Sequence, residues 1–564
     1  MKGNLQPPEL VREMFDEAAG GGTVINAAGM ARFLERFQGC DPSLSQSTAS
    51  EIMSRLAPQG LDLTSFIHKF LLDPALNAAM LGTKKPSHDM TAPLSHYYIH
   101  TSHNSYLKGN QLTSKSCSSP IVLALQNGCR VIELDCWEHK GKVMVFHGGT
   151  LTRAVPFDVC VASIKEHAFV ASEYPVIVTI ENHLPPALQQ EAAKILRELV
   201  GDALYIPASE TPPTEFLSPW ELRKKIIISD KPPKEHLAKQ VARDPEGAVE
   251  AITPNHRHSG SESSFSSSSS DEEEDRKHRG KRNVTKAAEA MAAASLHEEH
   301  PEVPKIPELQ HLLYIYCAKP SEMKEAPVNG ELVSTSTAIM ANMSEPQLKK
   351  SVLSNPFSLI QYTKNNLGRM YPFGLRFDSS NADPMLAWSH GFQLAALNLQ
   401  GKDRPCWVAR GFFLGNGGCG YIKKPDCFLS DVPHDSNVKS TLKVRVLTGT
   451  DWHKRFDLFS KPDFYVKVAV HGVAADKLKK RTKVAHKTHH PNWETEVFEF
   501  PLTVPEIAVL RFEVWEHDRM RRDDFVGQAC IPVPELEQGI RVVPLHSKRG
   551  EPRSSKLLCH FHHQ

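Results

Sequence analysis

Around His103 to Glu181 the chain reads TSHNSYL, RVIELDCW, VMVFHGGT and VIVTIENH. Each apolar run ends in, or beside, a residue that can hold a metal or move a proton. His103 and Asn104 are adjacent, and Glu133 and Asp135 are two apart in a run that reads as a strand. Side chains alternate faces along a strand, so these two carboxylates point the same way. His147 closes the next strand-like run and Glu181 the one after. In a barrel of parallel strands, the C-terminal strand ends converge on one mouth. Three carboxylates and an amide oxygen gathered there suit a hard cation, calcium or magnesium. Two histidines beside it suit acid–base work or charge stabilisation. Carboxylates set among Val, Ile, Leu and Trp would be costly to bury without a cation.

The elements that must position these groups follow from the flanking sequence. PPALQQEAAKILRELVGD reads as a helix opened by prolines and closed by Gly201, with Leu188, Ala192, Ile195 and Leu199 on one face. KKIIISD follows as another buried strand. Strand, helix, strand with few polar interruptions is the parallel α/β pattern. Residues 94–240 form a first half on this reading, and residues 306–430, with strand-like HLLYIYCAK and FQLAALNLQG, a second. Residues 241–305 separate them. This stretch holds a serine run (Ser266 to Ser270), an acidic run (Asp271 to Asp275) and a mostly basic run (Arg276 to Arg282). It is expected to be a disordered linker, because it has too little apolar surface to order itself.

Residues 1–80 read as a helical lobe. Leu10, Val11, Met14 and Phe15 make one apolar face, and Met30, Phe33, Leu34 and Phe37 another. The pairing is that of two EF-hands whose loops lack the oxygen ligands that calcium needs. Residues 438–564 change character. STLKVRVL, DFYVKVAV, RTKVAHKT, ETEVFEFP, VLRFEVWE, FVGQACIPV, IRVVPLH and SKLLCHFHH are eight strand-like runs with turns between, the pattern of an antiparallel β-sandwich.

Composition narrows the class of protein. Lys and Arg total 66 against 65 Asp and Glu, a formal charge of +1 over 564 residues. A nucleic-acid-binding chain would be strongly basic, so none is expected as a partner. Eleven cysteines without a CxxC pair point to free thiols in a reducing compartment. No leader-like segment opens the chain, and no apolar run approaches the roughly 18–20 residues that span a bilayer. The expected setting is the cytoplasm, with peripheral contact to the inner face of the plasma membrane.

The His103–Glu181 stretch resembles the X region of eukaryotic phosphoinositide-specific phospholipase C. LGRMYPFGLRFDSSN through LGNGGCGYIKKP resembles its Y region, and the sandwich resembles the C2 domain, a calcium- and lipid-binding module. The order of parts is that of the plant-type members. The resemblance implies an EF-hand-like lobe, an α/β TIM-like barrel split by the linker, and a C-terminal C2 sandwich. It implies calcium-dependent hydrolysis of phosphatidylinositol 4,5-bisphosphate to inositol 1,4,5-trisphosphate and diacylglycerol, through a cyclic phosphodiester. Calcium would be held by Asn104, Glu133, Asp135 and Glu181. His103 would stabilise the reacting phosphorus, and His147 would protonate the leaving glycerol oxygen. A carboxylate would take the hydroxyl proton; Glu133 is the choice here, although the residues alone leave the base open. Lys231, Arg369 and Tyr371 match the family's headgroup-binding positions, and Asp463, Glu516 and Asp518 the calcium positions of its C2 domain. Asp457 and Asp523 are nearby acids. Anionic membrane and phosphoinositide lipids are the implied partners of a protein expected to be monomeric.

Ser229, Asn342 and Ala382 depart from the animal pattern, which leaves the choice between mono- and bisphosphorylated headgroups open. The acidic run would also be placed to compete for the cations of the mouth. Two rival readings remain. A non-catalytic calcium- and lipid-binding module would have lost a histidine or a carboxylate, and neither is lost. A metal-free phosphodiesterase would want a fixed cationic side chain there instead, and the Asn104–Glu133–Asp135–Glu181 set argues against it.

Overall fold

In the strand Val131–His139, Ile132, Leu134 and Cys136 turn outward and pack with Leu125, Ile164, Ala192 and Leu196 from the surrounding helices. The alternate residues turn inward, because the strand period is two. Val131 belongs to an inner apolar floor with Ile99, Ile177, Ile227, Leu367 and Leu394. Above the floor the inward positions are polar: Glu133 and Asp135, then Thr179 and Glu181, then Ser229 and Lys231. All six are buried. One barrel interior is thus apolar at its base and ionic at its mouth.

The strands are in parallel register. Asp135 lies opposite Glu181, and Glu181 opposite Lys231. The strand Ile226–Lys231 continues to Leu313–Ile315, and Met340–Ser344 pairs with Leu367–Tyr371, which pairs with Leu394–Ala395. Parallel bridges Cys317–Met340, Ser102–Leu397 and Thr101–Val131 join the remaining gaps, so the described staves, from Tyr97–Ile99 onward, close a ring. Helices Ser119–Gln126, Phe157–His167 and Pro186–Val200 cover part of its outside. In the last, the buried stripe is Gln189, Ala192, Ala193, Leu196 and Val200, one position away from the expected face, and Leu199 is 39% exposed.

His147 reaches the site by a different route from the one expected. Lys142–Val145 is no barrel stave. It folds back antiparallel on the end of Val131–His139, through a turn in which Lys140 (φ 55°) and Gly141 (φ 70°) are both left-handed. Such a turn matches strand twist and makes a tight hairpin.

The computed structural model describes residues 6–564 except 81, 83–84, 232–305, 318–336, 434, 455, 457–460, 495 and 519–521. The expected linker 241–305, with its acidic run, lies outside the described residues, as does Asp457. The chain divides into two compact units. One is the barrel, residues 88–401 and 419–432; the other contains residues 1–87, 402–418 and 433–564.

The second unit begins with helices Glu9–Ala19, Ala27–Gln38 and Pro42–Leu56, and a fourth helical stretch that runs from Leu63–Ser65 into the π-turn Phe66–Leu71. Ile25 and Leu61 form the antiparallel bridge that pairs the two EF-hand-like loops. Asn26 and Asp62 spend their side chains as helix caps, on the N–H groups of Gly29 and Ser65. Asp62 thus meets a backbone donor, with no cation needed to hold it.

Among the described residues the sandwich has eight strands: Ser440–Thr450, Phe464–His471, Leu478–Arg481, Val497–Leu502, Val509–Glu516, Asp524–Pro532, Gly539–His546 and Pro552–His563. Two four-stranded leaves meet through the single pair Gln528–His546. Alternating residues such as Val444, Val466, Phe500 and Phe512 fill the space between them. The third strand is Leu478–Arg481 rather than the expected RTKVAHKT; of the later residues Ala485 bridges to Phe464, and the Thr482 and Thr488 N–H groups donate to the Val466 and Pro462 carbonyls. Residues 402–418, inside the expected 306–430 half, group by contacts with the second unit. The helix Arg404–Phe412 lies close against the sandwich: a Cβ on Gly411 would come 2.4 Å from Cys530 Cβ. Arg404 Nε donates to Glu513 Oε1 at 2.8 Å.

Candidate active site

The mouth is built from register. Asp135, Glu181 and Lys231 stand abreast on three neighbouring strands, and Glu133 lies one inward position below Asp135. One oxygen from each of Glu133, Asp135 and Glu181 lies within 4.8 Å of the others. Asn104 meets Glu133 from the loop above. Its backbone is left-handed (φ 42°), a conformation asparagine tolerates. Its N–H donates to Glu133 Oε2 at 3.0 Å and its Nδ2 to Gln111 Oε1 at 2.8 Å. Its Oδ1 is buried and accepts no hydrogen bond. A buried carbonyl oxygen beside three carboxylates is the donor set of a hard cation, so the residues fit calcium.

Two cations face these acids. The Lys231 ammonium pairs with both Glu133 Oε1 and Glu181 Oε2. Burial alone would lower the lysine pKa, but the fields of Glu133, Glu181 and Asp135 outweigh it and hold the group above its usual range, fully protonated. Arg369 Nη2 lies 2.9 Å from Glu133 Oε2, and its Nη1 donates to Asn342 Oδ1 at 3.0 Å. The guanidinium carbon sits 5.8 Å from the centroid of the Tyr371 ring. Lys231 is therefore set against the carboxylates themselves. That is the fixed cation a metal-free site would want.

The histidines are both oriented through Nδ1. In His103 this atom is 3.0 Å from Asn398 Oδ1, and in His147 it is 2.8 Å from the carbonyl of Gln111. An amide or carbonyl oxygen only accepts, so each Nδ1 carries its proton and Nε2 is the nitrogen left to exchange one. His103 is buried and His147 half-buried.

Several residues at the site went unnoticed in the sequence. Gln111 is a hub: its Oε1 accepts from Asn104, its Nε2 donates to Ser379 Oγ and Asn398 Oδ1, and its carbonyl holds His147. Tyr106 donates to Asp135 Oδ2 at 2.9 Å. Burial first, and then the Asp135 charge, push its phenol pKa well up, so it remains a donor. His183 Nε2 lies 3.0 Å from Glu181 Oε1. Tyr106 and His183 sat within the quoted runs SHNSYL and IENH, whereas Gln111, in KGNQLTS, carried no signal of spacing or chemistry.

The acids of the sandwich are arranged differently. Asp463 Oδ2 is 2.9 Å from His486 Nδ1, and its Oδ1 accepts from the Lys487 N–H at 2.6 Å. Glu516 is buried, with Oε1 3.5 Å from the Asp463 N–H. The Asp518 N–H donates to Asp523 Oδ1 at 3.3 Å, and Asp523 Oδ2 accepts from Tyr465. Among the described residues, Asp463, Glu516 and Asp518 do not draw together as the barrel triad does.

A ring of parallel staves with an acidic, histidine-bearing mouth defines a barrel enzyme of the class that works at its strand C-terminal ends. The sequence model described as phosphatidylinositol-specific phospholipase C, X domain, matches residues 90–232, its Y-domain counterpart matches 311–427, and the C2 domain matches 440–546. Phosphoinositide phospholipase C 2 of Arabidopsis thaliana is 40% identical, over 98% of this chain and 95% of that protein. The 1-phosphatidylinositol 4,5-bisphosphate phosphodiesterase delta-1 of Rattus norvegicus is 31% identical, over 96% of this chain and 70% of its own length. The crystal structure of S. officinalis PLC21 superposes with a TM-score of 0.72 at 26% identity, covering 99% of this chain and 68% of that one. The chain belongs to the phosphoinositide-specific phospholipase C family and is a phosphoric diester hydrolase. No helix among the described residues is long and apolar enough to cross a membrane.

Proposed function

We propose that this phospholipase C acts on phosphatidylinositol 4,5-bisphosphate in the cytoplasmic leaflet of the plasma membrane, with calcium held by Asn104, Glu133, Asp135 and Glu181. The gathering of three buried carboxylates, with the buried, unsatisfied amide oxygen of Asn104 on a residue whose N–H bonds Glu133, carries this reading. Bound calcium would lower the pKa of the inositol 2-hydroxyl and offset charge building on the phosphate. Glu133 would take the hydroxyl proton as the 2-oxygen bonds to phosphorus. The phosphorus–glycerol oxygen bond then breaks, and His147, through Nε2, gives that oxygen its proton. Diacylglycerol leaves and a cyclic phosphodiester remains, which water opens with His147 now as base. His103 supports the phosphate charge. Arg369 and Tyr371 wall the headgroup, and Arg369 suits a phosphate because its fork binds two oxygens. Once a divalent cation takes the carboxylates, the Lys231 ammonium, on its four-carbon stem, can turn to a ring phosphate. The sandwich acids Asp463, Glu516 and Asp518 are proposed to dock the monomer on anionic lipid through calcium.

Lys231 also favours a second reading, in which it is the resident cation and turnover needs no metal. Purified protein assayed on labelled mono- and bisphosphorylated phosphoinositides, with calcium titrated from chelator upward, separates the two. Calcium-dependent release of inositol trisphosphate supports the first; equal turnover in chelator supports the second.

A further inference from the structure

Two residues beyond Asp135 and Glu181 come Trp137, on the strand Val131–His139, and His183, just past the end of Val176–Asn182. The His183 N–H donates to the Cys136 carbonyl at 2.9 Å, which continues the strand pairing by one step. The imidazole lies flat on the Trp137 indole, ring centroids 3.6 Å apart and planes 7° from parallel. The indole is itself closely walled: a Cβ on Gly148 would fall 2.0 Å from Trp137 Cζ2, so only glycine fits there. Gly148 adjoins His147. The ring of His183 thus has a fixed seat, and from it Nε2 meets Glu181 Oε1 at 3.0 Å while Glu181 Oε2 meets Lys231.

A carboxylate can rotate about its last bond and exchange its two oxygens. Here one oxygen is assigned to an imidazole donor on the rim and the other to the cationic interior. We propose that His183, seated on Trp137, is a positioning residue that holds Glu181 with Oε2 turned toward the cation site. The proposal rests on the reading that calcium binds the Glu133–Asp135–Glu181 set. Hydrogen bonds from outside a metal site orient its carboxylates, and their loss typically costs ten- to a hundredfold in metal affinity.

The test uses the full chain carrying Asp463→Asn and Asp518→Asn, to reduce calcium uptake by the sandwich. Calcium affinity is measured by titration calorimetry, alongside kcat and the half-activating calcium on a soluble inositol phosphodiester. His183→Phe keeps a ring on Trp137 but has no donor; His183→Gln keeps an N–H donor but loses the stack. The expected result is a calcium affinity about tenfold or more weaker in His183→Phe, with kcat largely recovered at saturating calcium. His183→Gln should stay within a few-fold of the parent. Parental affinity in His183→Phe, or equal losses in both variants, overturns the proposal. Glu181→Gln separates the two claims: if it too binds calcium like the parent, the metal reading falls; if it alone loses binding, only the role of His183 falls.

Discussion

The barrel mouth and the edge of the sandwich both carry acids where the family suggests calcium, and they are built on opposite plans. At the mouth, the acids sit at inward positions of rigid neighbouring strands, buried and converging, with Lys231 and Arg369 balancing them. In the sandwich, Asp463, Asp518 and Asp523 lie at strand ends and loops, and their polar contacts go to local groups: His486, the Lys487 N–H, Tyr465. Strand register draws like charges together whether or not they repel, and the fold must then supply a cation. Loop acids instead turn to whatever donors are near, so gathering them is left to the ligand. The first plan gives a preorganised site suited to catalysis. The second suits reversible docking.

That contrast predicts graded damage. The largest loss belongs to the mouth: Asp135→Asn or Glu181→Gln should abolish measurable hydrolysis of vesicle substrate at micromolar calcium, and magnesium should not restore it. His147→Ala, which leaves the triad whole, should cost about a hundred- to ten-thousandfold in kcat with calcium binding preserved, the range for a lost acid–base group. Unchanged turnover in a folded His147→Ala protein would remove it from the mechanism. Smaller again, Asp463→Asn with Asp518→Asn should weaken calcium-dependent binding to anionic vesicles while hydrolysis of a soluble phosphodiester changes little. Calcium-independent vesicle binding that survives both changes would make these loops purely structural.

The smallest effect is the pH dependence of the sandwich's stability. Burial, helped by Arg445, pulls His560 in the sandwich down to about 4, against about 6.5 in an unfolded chain. Between these values the unfolded chain binds the proton and the folded one does not, so stability falls as pH drops from about 6.5 toward 4. His546 and His563, also lowered by burial, act in the same direction. Melting followed across that window should show the sandwich weakening with acid, and His560→Gln should flatten part of the slope. An equal slope in the variant would assign the loss to other groups.

Much of the mouth was legible because the signal was periodic: Glu133 and Asp135 two apart, then Glu181 ending its own apolar run, could only share an inward face. Where side chains act through loops, periodicity was silent. Gln111 joins both histidines and Asn104, yet nothing in KGNQLTS marks it. His147 was expected on a stave and arrives from a hairpin, because an antiparallel ribbon and a parallel stave share one alternation. The sandwich's third strand was misplaced as well. LKKR carries no alternation of its own, and only pairing with Lys467–Val470 marks it as the strand. Residues 402–418 read as barrel sequence, but the close approach of Gly411 to Cys530 and the Arg404–Glu513 pair bind them to the sandwich. The direction in which Lys231 points is set by charge rather than by sequence.

That lysine is also where the account can be tested most directly. Crystals of the full chain grown in chelator and then soaked in calcium should show anomalous density at about 2.3–2.6 Å from oxygens of Asn104, Glu133, Asp135 and Glu181. Lys231 should have left Glu133 and Glu181 in the soaked crystal. A soaked crystal of active protein with no density at the triad, and the ammonium still on both carboxylates, would contradict the calcium site and leave Lys231 as the resident cation.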